Sequence, residues 1–275
     1  MWKLSPSNAG ALLGKNPYKT VTQALAYEFK RQRPTEWKEA MDMLEVDKTS
    51  EEIGKEGFKN LGLDTKCTVD ASTKKARKSF ETAVKKALDK QEVGHVYTRQ
   101  ERRKRNHERK LITSAATKEV YTETGKAREA GSMASSAKRY GRTYSAGNAK
   151  WYTLTIPGTP LQGRMWGKID GFEEATGTLI EAKERQNRFL GHGTVKKGGE
   201  NNYERVQIFI YMKMLKCTKA KLVETFEEEQ REHDILWDEE EWETYYKGLR
   251  GCVQRLNEAF VDLNARVELA KSLTV

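Results

Sequence analysis

In the stretch GKIDGFEEATGTLIEAKERQ, residues 167–186, Asp170 precedes an apolar run that ends in Glu181, Ala182 and Lys183. A strand sets residues two apart on one face, about 7 Å apart at the backbone, so Glu181 and Lys183 share a surface while Ala182 points to the opposite layer. The turn signal at Glu174–Gly177 predicts a hairpin that folds the Asp170 strand back on the Glu181 strand and brings the two carboxylates together. Converging carboxylates repel, and a hard divalent cation bound through oxygens relieves the repulsion; Mg2+ with several retained waters suits such a pair, with Mn2+ as a substitute. A cation so held binds phosphate oxygens next. A lysine beside it can donate to the phosphate or hold the attacking water, and these are the parts of metal-assisted phosphodiester hydrolysis. Glu-x-Lys recurs at Glu28, Glu36 and Glu108, so the triplet alone is uninformative. On spacing alone, an ordinary surface ion pair explains the pattern as well as a catalytic set does.

The elements that must position these groups can be read from patterning. Ser7 to Lys30 reads as a helix capped by Ser5 or Ser7, a turn at Gly14–Pro17, and a second helix from Thr20. Residues 31–110 read as mostly helical and polar, with breaks at Pro34 and near Gly54, Gly57 and Gly62, and Thr113–Tyr140 reads as a further helix. From Lys150 the texture changes to alternating aromatic and β-branched residues, which predicts a meander of three strands with turns at PGTP and EATG. A Gly- and Lys-rich loop follows, containing Lys196 and Lys197 and able to close over a substrate. Then come a helix at YERVQIFIYMKML, two strands, and one long terminal helix. This order predicts an α/β (α+β) core, a central mixed sheet flanked by helices, in one domain over residues 1–275 with a basic helical insertion at 31–112.

Asp170, Glu181-Ala182-Lys183 and, on the following helix, Gln207-x-x-x-Tyr211 together resemble the PD-(D/E)xK nuclease superfamily, and within it the branch of phage lambda exonuclease and YqaJ-type viral recombinases. Three more stretches are similar to that branch. Leu4–Thr20 matches its N-terminal serine motif, Thr124–Tyr140 its Gly-x-x-x-Glu motif with Glu129 as the acid, and HDILWDEEEWE its C-terminal end, so the resemblance covers residues 4–25 and 120–262. It implies a restriction-endonuclease-like core in which Asp170, Glu181, Glu129 and the Ala182 carbonyl ligate Mg2+. Lys183 would orient or activate the water, and Gln207 would position Lys183 or the DNA backbone. Tyr211 would reach the nucleic acid, a role for which a core aromatic is an equal alternative, and Ser7 would touch phosphate near a 5′ end, with Lys3 the basic residue just upstream. Glu56 is the rival to Glu129 as the helical acid. The activity implied is that of a metal-dependent deoxyribonuclease, an exonuclease resecting double-stranded DNA ends from 5′ to 3′ in recombination or genome processing, of viral, phage or mobile-element origin. A structure-specific or nicking endonuclease on DNA or RNA, and a silent nucleic-acid-binding protein on the same fold, are the other readings. Implied partners are double-stranded DNA ends, a single-strand annealing or single-strand-binding protein, and further copies of the chain.

Charge agrees with a polyanionic partner. The 275 residues carry a net charge of +10, and nearly all of the excess lies in residues 72–110, with 14 Lys/Arg against 5 Asp/Glu. That segment holds the run Arg102, Arg103, Lys104 and Arg105, expected to grip phosphates together with Lys196 and Lys197. An acidic stretch at residues 227–243 is expected to be a solvated face or a contact to a neighbouring copy's basic segment. The four histidines are expected to be non-catalytic, because a metal generates the hydroxide in such a mechanism. Three scattered cysteines, Cys67, Cys217 and Cys252, predict neither disulfide nor thiolate metal site. With no secretory pattern and no apolar run of membrane length, the expected location is intracellular: cytoplasm, or the host nucleus for a eukaryotic virus.

Overall fold

The chain starts on β1 (Trp2–Leu4), which buries Trp2 and Leu4 and exposes Lys3, the alternation of a half-buried strand. A computed structural model describes residues 1–63, 74–91, 97–145, 149–185 and 188–274, except the side chains of residues 74–77, 123–127, 129, 130 and 132. Ser5 is the N-cap of α1 (Pro6–Leu12), with Pro6 in the first turn, where its missing N–H costs nothing. Gly14 turns at φ 69°, and α2 (Val21–Gln32) opens with a capping box between Thr20 and Gln23. Pro34 starts α3 (Pro34–Met43), and α4 (Ser50–Asn60) opens with a second capping box, Thr49 with Glu52.

Gly54 and Gly57, expected to break this region, instead lie inside α4. They let another helix approach: a Cβ on Gly54 would sit 2.6 Å from the Leu111 carbonyl oxygen, and one on Gly57 would sit 2.5 Å from the Ile112 side chain. After α5 (Lys74–Gln91), the basic segment and the expected helix at Thr113–Tyr140 merge into one 42-residue helix, α6 (Arg99–Tyr140), capped by Thr98 with Glu101 and ended by Gly141 in the left-handed conformation.

The expected meander is split. β2 (Tyr152–Ile156) pairs antiparallel with β3 (Gly163–Gly167), which also takes β1 in parallel, giving the order β1-β3-β2. The chain then leaves this sheet at Lys168–Asp170 and forms β4 (Gly171–Glu173) in a second sheet, antiparallel to β5 (Thr178–Arg185). Glycines flank the switch because neighbours come close. A Cβ on Gly167 would meet the Tyr211 hydroxyl at 2.6 Å, and one on Gly171 would meet Met133 Cε at 2.5 Å.

The loop after β5 contains a single helical turn, α7 (Gly191–Thr194), and leads into α8 (Tyr203–Leu215). β6 (Lys219–Phe226) lies parallel to β5, and β7 (Glu229–Leu236) returns antiparallel, completing the order β4-β5-β6-β7. The single terminal helix expected from the sequence is two, α9 (Glu239–Val261) and α10 (Leu263–Thr274). Asp262 divides them: its N–H closes the first helix on the Glu258 carbonyl, and its carboxylate caps the second by accepting from the Asn264 N–H at 2.9 Å. The architecture is therefore mixed α/β, with helices on two mixed sheets where one sheet was expected.

Two cores hold the chain together. The main one unites Trp2, Phe29, Met165, Phe209 and Trp242 with their neighbours, and α3 joins it through Trp37, Ala40 and Met41. The second, built from Phe58, Phe80, Val84, Leu88, Ile112, Ala116 and Val120, belongs to α4, α5 and the first half of α6. Cys217 and Cys252 are free thiols, Cys67 lies outside the described residues, and no described helix is long and apolar enough to cross a membrane. In an open helix, Gly54→Ala gains up to about 1 kcal/mol; against the Leu111 backbone it is expected to lose about 1–3 kcal/mol instead, measured by urea unfolding.

Candidate active site

On β5, Glu181, Lys183 and Arg185 alternate onto one face. That face meets α8, whose Glu204, Gln207 and Tyr211 recur at helical spacing. The Gln207 side-chain amide donates to Glu181 Oε1 at 2.6 Å, and the Lys183 ammonium pairs with the same oxygen. One rung along, the Arg185 guanidinium makes two parallel bonds to Glu204, of 2.8 and 2.7 Å, and a third to Glu224 on β6. Asp170, where the chain changes sheets, reaches across to accept from the Ala182 N–H at 2.8 Å. The Glu181 side chain is 2% exposed and that of Lys183 27%, so the carboxylate is the more deeply buried partner of the pair.

Electrostatics fix the protonation states. Burial works against the Lys183 charge, but the Glu181, Asp170 and Glu204 carboxylates outweigh it and hold the ammonium above its usual pKa. Burial, reinforced by Glu181 and Asp170, likewise raises the Tyr211 phenol. Lys183 is therefore held as a cation and Tyr211 as a neutral phenol.

Tyr211 is 4% exposed, packed in the core beside Gly167 and hydrogen-bonded to Gln207. This is the core placement that the sequence left as the equal alternative to a nucleic-acid contact. Gln207 holds Glu181, the carboxylate that Lys183 also pairs with, instead of contacting Lys183 itself. Ser7 is exposed in the first turn of α1, where its hydroxyl meets that of Ser5 at 2.7 Å. Pro6, adjoining it, packs against Gly167. Glu129 lies on α6 between Arg128, which pairs with Glu184 at 3.3 Å, and Met133, which packs on Gly171; the Glu129 side chain is outside the described residues. Its rival Glu56 pairs with Lys48 on the helical insertion.

Lys196 and Lys197 are exposed, with Lys197 paired to Asp238. Arg102, Arg103 and Lys104 are exposed, and Arg105 donates to the Tyr97 hydroxyl. These four begin α6, roughly 35 Å along its axis from Arg128. Of the acidic stretch, Glu232 and Glu241 are not solvated: they pair with Arg142 and Arg205.

The sequence reading missed Arg185, Glu204 and Glu224. The first two were signalled by continuing the β5 alternation two residues past Lys183 and the α8 face three residues before Gln207. Glu224 had no local signal. It is fully buried, and it accepts from the backbone N–H groups of Leu190 and Gly191 at 2.9 and 2.7 Å, tying down the start of the loop expected to close. His233 Nε2 lies 2.9 Å from Glu224, His107 and His192 are exposed, and His95 lies outside the described residues.

No group of three or more His, Cys, Asp or Glu side chains suited to a metal occurs among the described residues. Asp170 and Glu181, the two acids not taken up by Arg185, form with the backbone oxygens beside them a hard set of the kind that Mg2+ accepts with as few as one or two carboxylates plus water.

No family model and no curated protein sequence matches the chain. Among solved structures it is similar to SSO0001, at 17% identity and TM-score 0.36, over 63% of this chain and 84% of that one. It is similar also to an alkaline exonuclease (LHK-Exo) from Laribacter hongkongensis, at 15% identity and TM-score 0.33, over 76% and 91%. A third is a phage-related exonuclease from Haemophilus somnus 129PT, at 12% identity and TM-score 0.34, over 66% and 82%. At these values the functional reading rests on the chain's own site.

Breaking a buried pair leaves a charge uncompensated, so Glu204→Gln is expected to cost roughly 3–5 kcal/mol in urea unfolding. Burial works against the Glu224 charge, but Arg185 and the two backbone donors outweigh it and hold this carboxyl below its ordinary pKa. Its contribution is present above the unfolded value of about 4.3 and is lost as pH falls through the lower folded value. Glu224→Gln should therefore flatten the acid limb of the thermal midpoint plotted against pH; a limb as steep as the parent's would refute this.

Proposed function

We propose that the chain is a metal-dependent deoxyribonuclease that hydrolyses phosphodiester bonds, acting as an exonuclease on double-stranded DNA ends. The observation that carries the reading is the Glu181 carboxylate shared by Lys183 and Gln207, with Asp170 bonded across to the backbone of the next residue. A surface ion pair has no need of burial, an amide clamp or a second acid.

The donor set fits a divalent cation. Asp170 and Glu181 stand beside one ammonium, Lys183, while Glu204 and Glu224 are met by Arg185, with His233 also on Glu224. An excess of carboxylate over cation in a largely buried cluster is what a bound cation offsets. Asp170, Glu181 and the Ala182 carbonyl would hold it, with Glu129 as the further acid. A bound Mg2+ would polarise the phosphate and acidify a water ligand. The chain's own residues supply the rest. The Lys183 ammonium, held as a cation by the carboxylates around it, donates to the phosphate oxygen or orients the water. Gln207 keeps the Glu181 carboxylate in one rotamer, Arg185 and Glu204 fix the far end of β5 against α8, and the basic surface of the chain attracts DNA through its phosphates.

The test is incubation of linear duplex and closed circular DNA with Mg2+. Degradation of the linear form alone is expected; cutting of the circle would make the chain an endonuclease, and no cleavage of either would leave a binding protein. Lys183→Ala should lower the rate about 10²–10³-fold, and Gln207→Ala about 10–100-fold. An unchanged rate in Lys183→Ala would overturn the site.

A further inference from the structure

The outward face of the β1-β3-β2 sheet carries two indoles that its packing does not use. Trp151 is 51% exposed and Trp166 38%, with ring centroids 4.3 Å apart and planes inclined by 38°. Pairing of Thr153 with Trp166 brings them together, since Trp151 lies two residues before Thr153 on the same face. The other face of these strands is the core side, filled by Ile156 and Met165.

Each indole has a cation over it: Lys3 Nζ lies 5.5 Å from the Trp166 centroid and Lys168 Nζ 4.9 Å from that of Trp151. Arg164 follows on the outward face, two residues before Trp166, and none of the residues of β1, β2 and β3 is acidic. Trp166 lies on the run that continues through Lys168 to Asp170, four residues before that carboxylate in the chain.

We propose that Trp151 and Trp166 form a stacking platform for the unpaired bases of single-stranded DNA. The proposal rests on the nucleic-acid reading above and names the strand state that this surface holds. Every base has a π-face, which stacks on an exposed indole irrespective of sequence, but a duplex keeps those faces inside its own stack. Flanking cations without acids match the phosphates that accompany the bases. The long stems of Lys3 and Lys168 let their ammonium groups swing from ring to phosphate as a base takes their place. An apolar partner surface would satisfy the indoles but would leave the cations without a counterpart.

The experiment is fluorescence anisotropy of a short labelled oligothymidine titrated with the full chain in EDTA, so that binding is read without cleavage. Trp151→Ala and Trp166→Ala are each expected to weaken binding about 10-fold, the worth of one lost base–aromatic stack. Trp166→Phe should keep most of the affinity, and a blunt duplex should lose little in either alanine variant. Both side chains are exposed, so the thermal midpoints should match the parent's. Unchanged oligothymidine affinity in the Trp151→Ala/Trp166→Ala double variant would overturn the platform. So would a drop in assembly size by sedimentation at unchanged affinity, which assigns the patch to a second copy of the chain. Failure to cleave DNA with Mg2+, at parent-like binding that the variants weaken, would sink the hydrolytic reading and leave the platform standing.

Discussion

A carboxylate as buried as Glu181 is costly unless its charge is met, because a buried ion gives up several kcal/mol of hydration. On β5 the cost is met locally, by Lys183 two residues on and by the Gln207 amide from α8. The arrangement then repeats one rung along, with Arg185 between Glu204 and Glu224. These contacts make β5 and α8 a single charged seam inside an otherwise apolar core. The placing of β6 follows from it, since Glu224 on that strand takes one arm of the guanidinium and also ties the chain at Leu190 and Gly191. Losing one partner would strand the others, so the seam constrains the rotamers of the very groups that line the candidate site.

The same logic explains a helix that looks wrong for its place. α8 is buried on nearly all sides, with Val206, Ile208, Phe209, Ile210 and Met212 inaccessible, yet Glu204, Arg205 and Gln207 are buried with them. A helix surrounded by core is expected to be apolar all round. Each exception has a named partner: Glu204 holds Arg185, Gln207 holds Glu181, and Arg205 makes two 2.7 Å bonds to Glu241 at the start of α9. Arg205 thereby locks α8 to α9 on the side away from β5.

Local chemistry made the strands and several helix ends legible: the helix from Thr20, the EATG hairpin and the two strands after α8 follow from turn and capping rules, while Pro34, read as a break, is where α3 starts. The convergence of Asp170 on the Glu181 strand was legible for the same reason, since a hairpin fixes register. Long-range contacts were not. Gly54 and Gly57 look like helix breakers until a second helix is known to lie against them. The division of the middle strand between two sheets depends on Tyr211 and Met133 crowding Gly167 and Gly171, partners far off in the chain. Glu224 was unreadable as a buried residue, because its partners, Arg185 on β5 and the N–H groups of Leu190 and Gly191, lie more than thirty residues away in the chain.

Continuity of α6 sets how the two charged regions of the molecule relate. Its first half belongs to the second core, with Ile112, Ala116 and Val120, and its second half borders β4 and β5 through Arg128 and Met133. One helix thus holds the Arg102–Arg105 run at a fixed separation, roughly 35 Å from the pair at Glu184. At physiological salt, interactions between exposed charges fade over about 8 Å. The basic run therefore does not tune the carboxylates at Asp170 and Glu181, whose near partners are Lys183, Gln207 and the Ala182 N–H. What the run can do at that range is act on a polyanion long enough to span the distance, raising its local concentration through its phosphates. The charged seam and the basic run are in this way electrostatically independent, held in one frame by an unbroken helix.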